Sequence, residues 1–180
     1  MSILQIANAL DSGEVIAYPT EAVWGLGCDY RNPQAVNKLL RLKKRATAQG
    51  LILICSGFAE AASLLEPLPE KLKRQLSQYW PGFTTLLLPD INNQIPKWIK
   101  GEHQTFALRI SRHSAIKQIN QAWPHPIVST SANVHGDQPA TCAEQIVEVF
   151  GGQVQIVDGE LGGAKEPSRI MDLTTGKYLR

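Results

Sequence analysis

Short apolar runs recur along this chain, each closed by a proline, a glycine or a polar turn, with stretches of helical spacing between them. The longest uninterrupted run is Leu51–Cys55, LILIC. Runs of this length suit buried strands and are far too short to cross a bilayer. Alternation of such strands with amphipathic helices predicts an α/β protein in which helices pack on one twisted sheet. The alternation is irregular and has no repeat or linker. The expected sheet is therefore mixed, parallel and antiparallel, in a single domain over residues 1–180.

Ile3, Leu4, Ala7 and Leu10 share a helical face that ends by Gly13. Asn32 then Pro33 starts a second helix: a capping side chain, then a proline where no N–H is needed. It presents Val36, Leu39 and Leu40 to a core and ends near Lys44. Further helices are expected from Pro69 to about Tyr79 and over His113–Ala122. A last helix runs to Phe150, opened by a capping box of Thr141 and Glu144. Strands are expected at Val15–Tyr18, Leu51–Cys55, Thr84–Leu88, Phe106–Ile110, Ile127–Thr130, Val154–Val157 and Ile170–Leu173.

A formal net charge of +2 excludes bulk basicity as an argument for nucleic acid, so any electrostatic case rests on local clusters. The three cysteines are far apart with no CxxC pair, which suits a reducing compartment and gives no zinc pattern. The four histidines lack ligand spacing, so no protein-held metal is expected. MSILQIANAL has no basic residue before its apolar positions and does not read as an export signal. A cytoplasmic protein without membrane association is expected.

Two segments supply complementary chemistry. LKKR, Leu42–Arg45, belongs to a basic cluster with Lys38 and Arg41 that contains no acid. It reads either as cations complementing a helix C-terminus or as one wall of an anion site. The polar stretch to Gly50 reads as a loop that closes over substrates. STSAN, Ser129–Asn133, follows an apolar strand with hydroxyls, an amide and small residues that let a ligand reach the backbone. It reads either as a self-satisfied polar turn or as the opposite wall. Together they predict a pocket for a polyanion such as a nucleoside triphosphate. YPTEAVWGLG (Tyr18–Gly27), WPGFTT (Trp80–Thr85) and EPSRI (Glu166–Ile170) are further polar turns beside strands, and Thr20 stands at one strand end. There is no Walker A sequence and no GxGxxG. A serine hydrolase is disfavoured because no G-x-S-x-G elbow is present.

These segments, in this order, resemble the YrdC/TsaC family of threonylcarbamoyl-AMP synthases, from about Val15 onward and in the short, single-domain form. The resemblance implies a YrdC-like fold with a basic concave face. It implies synthesis of threonylcarbamoyl-AMP and pyrophosphate from L-threonine, bicarbonate and ATP. Downstream proteins would then transfer the threonylcarbamoyl group to the adenosine beside the anticodon of tRNAs that read A-starting codons. Magnesium would arrive with ATP. The family's K-x-R and S-x-N tetrad falls on Lys43, Arg45, Ser131 and Asn133, implied for catalysis and ATP binding, with Thr85 a further ATP contact. Thr20, Arg109 and Ser168 are implied for threonine, Arg109 taking its carboxylate. Departures fall at Phe83, where the family usually has proline, at His135, where it has serine, and at Arg169 in the Pro-Ser-Thr pattern. RNA affinity is a further expectation, and an RNA-binding module without ATP turnover is the rival reading. A carbamoyl-transfer domain, as in hydrogenase maturation factors, is a second rival, set against this chain's short length.

Overall fold

The computed structural model describes residues 1–46 and 49–180; Thr47 and Ala48, within the loop expected to close over substrates, lie outside the described residues. Eight strands form one sheet: β1 (Ile16–Pro19), β2 (Trp24–Gly27), β3 (Ile52–Cys55), β4 (Thr84–Pro89), β5 (Thr105–Ile110), β6 (Ile127–Ser131), β7 (Gln155–Ile156) and β8 (Arg169–Asp172). Their order is β7-β1-β2-β6-β3-β5-β4-β8. The pairs β1–β7, β3–β5 and β4–β8 are parallel and the remaining four antiparallel, so the sheet is mixed as expected.

The helices are α1 (Ile3–Asp11), α2 (Pro33–Lys43), α3 (Ala62–Leu65), α4 (Glu70–Leu76), α5 (Lys97–Lys100), α6 (Ser114–Ala122) and α7 (Ala143–Phe150). Ser2 and Gln5 form a capping box on α1. The Asn32 side chain accepts from the amides of Gln34 and Ala35, with Pro33 next, as its sequence predicts. Lys44 ends α2 in the left-handed region at φ 50°.

Alternate residues of each strand serve opposite layers. Ala17, Leu53, Leu86, Leu108 and Val128 join the core under α2 and α7. Ile16, Tyr18, Ile54 and Ile127 pack instead under α1 and α6. This second helix pair covers only part of its face. Beyond it the same face carries Ile52, Ala107, Thr85 and Ser129, and there the sheet is left open as a concave cavity.

Three local expectations are corrected. The helix opened by Pro69 ends at Leu76, not Tyr79, because Tyr79 and Trp80 both turn back onto the Leu76 carbonyl. Thr141 and Glu144 do not form a capping box: Cys142 is the N-cap, and it is Gln145 whose side chain reaches the Thr141 amide, at 2.7 Å. The glycines of YPTEAVWGLG lie in strand β2 rather than in a turn. Their absent side chains make room for the Tyr18 ring, which a Cβ on Gly25 or Gly27 would meet at 3.1 or 2.9 Å. Cys28 and Cys55 are buried and Cys142 half-buried, all as free thiols.

Candidate active site

The concave face holds a cavity of about 450 Å³, in the range of small-molecule sites. Its floor is apolar, with Ile52, Leu87 and Ala107 adjacent across β3, β5 and β4. Arg45, Lys100, Arg109 and Arg180 reach its wall, and no carboxylate does among the described lining residues.

The four cations differ in how they are compensated. Lys100 is buried against Asp90 and the Asn93 amide oxygen. Arg109, on β5, pairs with Glu21 behind the wall, donates from Nε to the Gly82 carbonyl at 3.3 Å, and lies 4.6 Å from the centre of the Phe83 ring. Phe83 stands where the family has proline, and here its ring supports this guanidinium. Arg180 donates twice to the Ser168 carbonyl, at 3.2 and 3.1 Å. Arg45 is half-buried, donating to the Gly50 carbonyl at 2.8 Å and the Thr130 hydroxyl at 3.4 Å, while its buried Nε has no partner among the described residues. No acid pairs with Arg45 or Arg180 among the described residues, and burial lowers the pKa of both.

Lys43 is placed differently from Arg45. It is 2% exposed and points away from the cavity into the STSAN turn. Its Nζ donates to the Ser131 carbonyl, to the Asn133 carbonyl at 2.9 Å and to Asn133 Oδ1 at 3.1 Å, which uses all three ammonium hydrogens. The Ser131 hydroxyl donates to the same Oδ1 at 2.7 Å, and Asn133 Nδ2 donates to the carbonyls of Val134 and Asp137. The turn is therefore rigid, with Ser129, Thr130 and Ser131 facing the cavity and Asn133 behind them. The cause lies in the fold of α2. Lys43, the last helical residue, lies on its buried face with its carbonyl accepting from the His135 amide, and the left-handed Lys44 separates it from Arg45, which lines the cavity.

At the other end, Thr85 and Ser168 are buried with hydroxyls 2.9 Å apart. One was expected at ATP and the other at threonine, and the structure joins them. The Thr20 hydroxyl is spent on the Val23 carbonyl at 2.7 Å, although the residue lines the cavity. Of the sequence-derived residues, Thr20, Arg45, Thr85, Arg109, Ser131 and Ser168 share one cavity wall; Lys43 and Asn133 support it from behind. Glu21, Thr130 and Arg180 were missed. Glu21 lay in view within a motif already singled out, whereas Arg180 carries no sequence signal. Among the described residues, no group of three or more His, Cys, Asp or Glu side chains could hold a metal ion, and no helix is long and apolar enough to cross a membrane.

Known proteins resemble this chain over nearly its full length. A threonylcarbamoyl-AMP synthase of Marinobacter nauticus is 45% identical, over 99% of this chain and 96% of its own length. One of Pseudomonas fluorescens is 44% identical with the same coverage. The structure of P. abyssi Sua5 complexed with L-threonine superposes with a TM-score of 0.82 at 30% identity, over 96% of this chain and 51% of that one. This chain thus spans about half of that protein. E. coli YciO, at 22% identity, shares the fold with a TM-score of 0.79 over 94% of this chain and 82% of its own. The Sua5/YciO/YrdC family model, described as telomere recombination, matches residues 8–180, and with relatives 44–45% identical over nearly their whole length the chain belongs to that family.

Proposed function

We propose that this chain is an L-threonylcarbamoyladenylate synthase, a nucleotidyltransferase that makes threonylcarbamoyl-AMP and pyrophosphate from L-threonine, bicarbonate and ATP. The observation that carries this reading is the half-buried Arg45, a cation on a cavity wall that, among the described residues, holds no Asp or Glu side chain, with one buried donor that has no partner among them. A buried charge without a counter-ion is costly, and an anionic ligand offsets that cost.

The threonine amine bonds to the carbon of carbon dioxide and gives an N-carboxylate; the proton the amine sheds joins the hydroxide that bicarbonate lost in releasing the carbon dioxide, and water leaves. One of its oxygens attacks the α-phosphorus, and the bond to the β-phosphate bridging oxygen breaks as pyrophosphate leaves. No protein nucleophile is needed, so positioning and charge stabilisation carry the rate. Arg45, with Thr130 and Ser131, takes the phosphates. Lys43 and Asn133 act by fixing the turn that presents Ser131, and Lys43 adds its positive field from behind. Magnesium comes with ATP, held by phosphate oxygens and water.

Arg109 receives the threonine carboxylate, and Thr20 and Ser168, with Thr85 beside it, bound the side chain. Rejection of serine rests on one methyl group, worth about 1–3 kcal/mol. The P. abyssi relative complexed with L-threonine supports threonine as the amino acid bound here. RNA binding without turnover is not favoured, since two of the four wall cations are already paired with acids behind the wall. The whole chain, 1–180, acts as one catalytic domain in the cytoplasm and hands its product to tRNA threonylcarbamoyl-transfer proteins. Incubation with ATP, L-threonine and carbon-13 bicarbonate tests the reading by mass spectrometry. Labelled threonylcarbamoyl-AMP is expected, and an adenylate without the label would overturn it.

A further inference from the structure

Glu21 stands behind the cavity wall, and the reaction above leaves it without a role. Its Oε1 accepts the Ser111 hydroxyl at 2.7 Å and pairs with the Arg109 guanidinium. Its other oxygen is buried with no partner among the described residues. Its backbone carbonyl accepts from the Ala164 amide at 2.7 Å, and the neighbouring Thr20 carbonyl accepts from Gly162 at 3.0 Å. These two bonds hold the segment from Gly162 to Ser168 against the β1–β2 turn. The approach is close: a Cβ on Gly162 would lie 2.9 Å from Glu21 Cα.

We propose that Glu21 is the positioning residue that sorts the two anionic substrates, fixing and neutralising Arg109 for a zwitterionic amino acid while Arg45, which has no acid partner among the described residues, serves the triphosphate. The proposal rests on the threonylcarbamoyl-AMP synthase reading. Arg45 and Arg109, two of the four wall cations, face two anions of unequal charge. An isolated guanidinium at Arg109 would attract the more highly charged ligand. Paired with Glu21, Arg109 loses its long-range pull on the triphosphate. It keeps the short-range, oriented donors that suit a single carboxylate. Glu21 does not itself line the cavity, so it acts through Arg109 and through the segment bearing Ser168.

A purely structural ion pair would leave substrate discrimination untouched, and kinetics separate the cases. In Glu21→Gln, KM for threonine is expected to rise tenfold or more while KM for ATP stays within twofold, and ATP at high concentration becomes a competitive inhibitor against threonine. Ser111→Ala, which removes the hydroxyl donor to Glu21 and the acceptor of the His113 amide, is expected to move threonine KM in the same direction by less. It carries the test if Glu21→Gln does not fold. Unchanged threonine KM, or equal rises for both substrates, would overturn the proposal. The Arg109 Nη2–H resonance, on the nitrogen paired with Glu21, gives a readout that needs no turnover. It is expected to exchange slowly in the wild type and fast in Glu21→Gln, and slow exchange in both would count against the proposal even if the synthase reading stands. Threonine-independent pyrophosphate release by the wild type would instead count against the synthase reading.

Discussion

Lys43 at the end of α2 and Asn133 beyond β6, separated by 90 residues in sequence, meet twice: Nζ donates to the Asn133 carbonyl at 2.9 Å and to its Oδ1 at 3.1 Å. A third bond to the Ser131 carbonyl closes the cage. The lysine thus shapes the cavity wall without entering the cavity.

Lys43→Met keeps the aliphatic stem and deletes the three donors. Turnover is expected to fall about 100-fold, the scale of an ångström-sized misplacement near a reacting centre. Stability is expected to fall by about 1–3 kcal/mol because buried carbonyls lose a partner. Pyrophosphate release and urea denaturation of the same variant check both.

Burial, with Arg45 nearby, pushes the Lys43 pKa down from 10.5 to about 8. Between those values the unfolded chain binds the proton that the folded chain has lost, so this group's contribution to stability rises with pH across the window. The cage needs the ammonium, so turnover is expected to fall as pH rises through about 8. Titration of the threonine amine is common to all variants. The test is therefore the difference between pH profiles, with the descending limb present in wild type and missing in Lys43→Met, while the wild-type urea midpoint does not fall in step.

Arg45→Ala is expected to lower kcat/KM for ATP by about 10²–10³-fold, the scale for removing a donor aimed at developing charge. Its folding midpoint should stay near wild type, because the guanidinium makes only two hydrogen bonds among the described residues. Arg45→Lys is expected to restore little, since a point charge cannot reproduce the fork. Isothermal titration with a non-hydrolysable ATP analogue isolates the binding part.

The Thr85–Ser168 hydroxyl pair is suited to a double-mutant cycle. Thr85→Val and Ser168→Ala should each destabilise by about 1 kcal/mol or more, and the double variant by less than the sum, because each single change strands the other hydroxyl. Additive losses would show that the two hydroxyls do not support each other.

Gly27→Ala would place a Cβ 2.5 Å from the Val128 carbonyl oxygen and 2.9 Å from the Tyr18 ring. A loss of about 1–3 kcal/mol is expected from this overpacking. Gly152→Ala, with nothing within 4 Å, serves as the control and should stay within about 0.5 kcal/mol.

Much of this was legible because it is local. Asn32–Pro33 announced α2, and apolar runs announced most strands, since capping and burial act over a few residues. Strand β2 was not legible, because its glycines are explained only by Tyr18 on the neighbouring strand. The K-x-R and S-x-N segments could be paired from their chemistry and from the family resemblance. That Arg45 lines the cavity while Lys43 lies on the buried face of α2 goes with the left-handed turn at Lys44, a backbone choice that no side-chain pattern records. Glu21 and Arg180 depend on long-range contacts with Arg109 and Ser168, and a motif read along the chain does not reveal such partners.

The most direct test measures pyrophosphate release from ATP by the purified protein with threonine, bicarbonate or both left out in turn, and with L-valine in place of threonine. Release that requires both threonine and bicarbonate, with valine a poor substitute, is the result predicted here. Release without threonine, or none above background from folded protein, would contradict it.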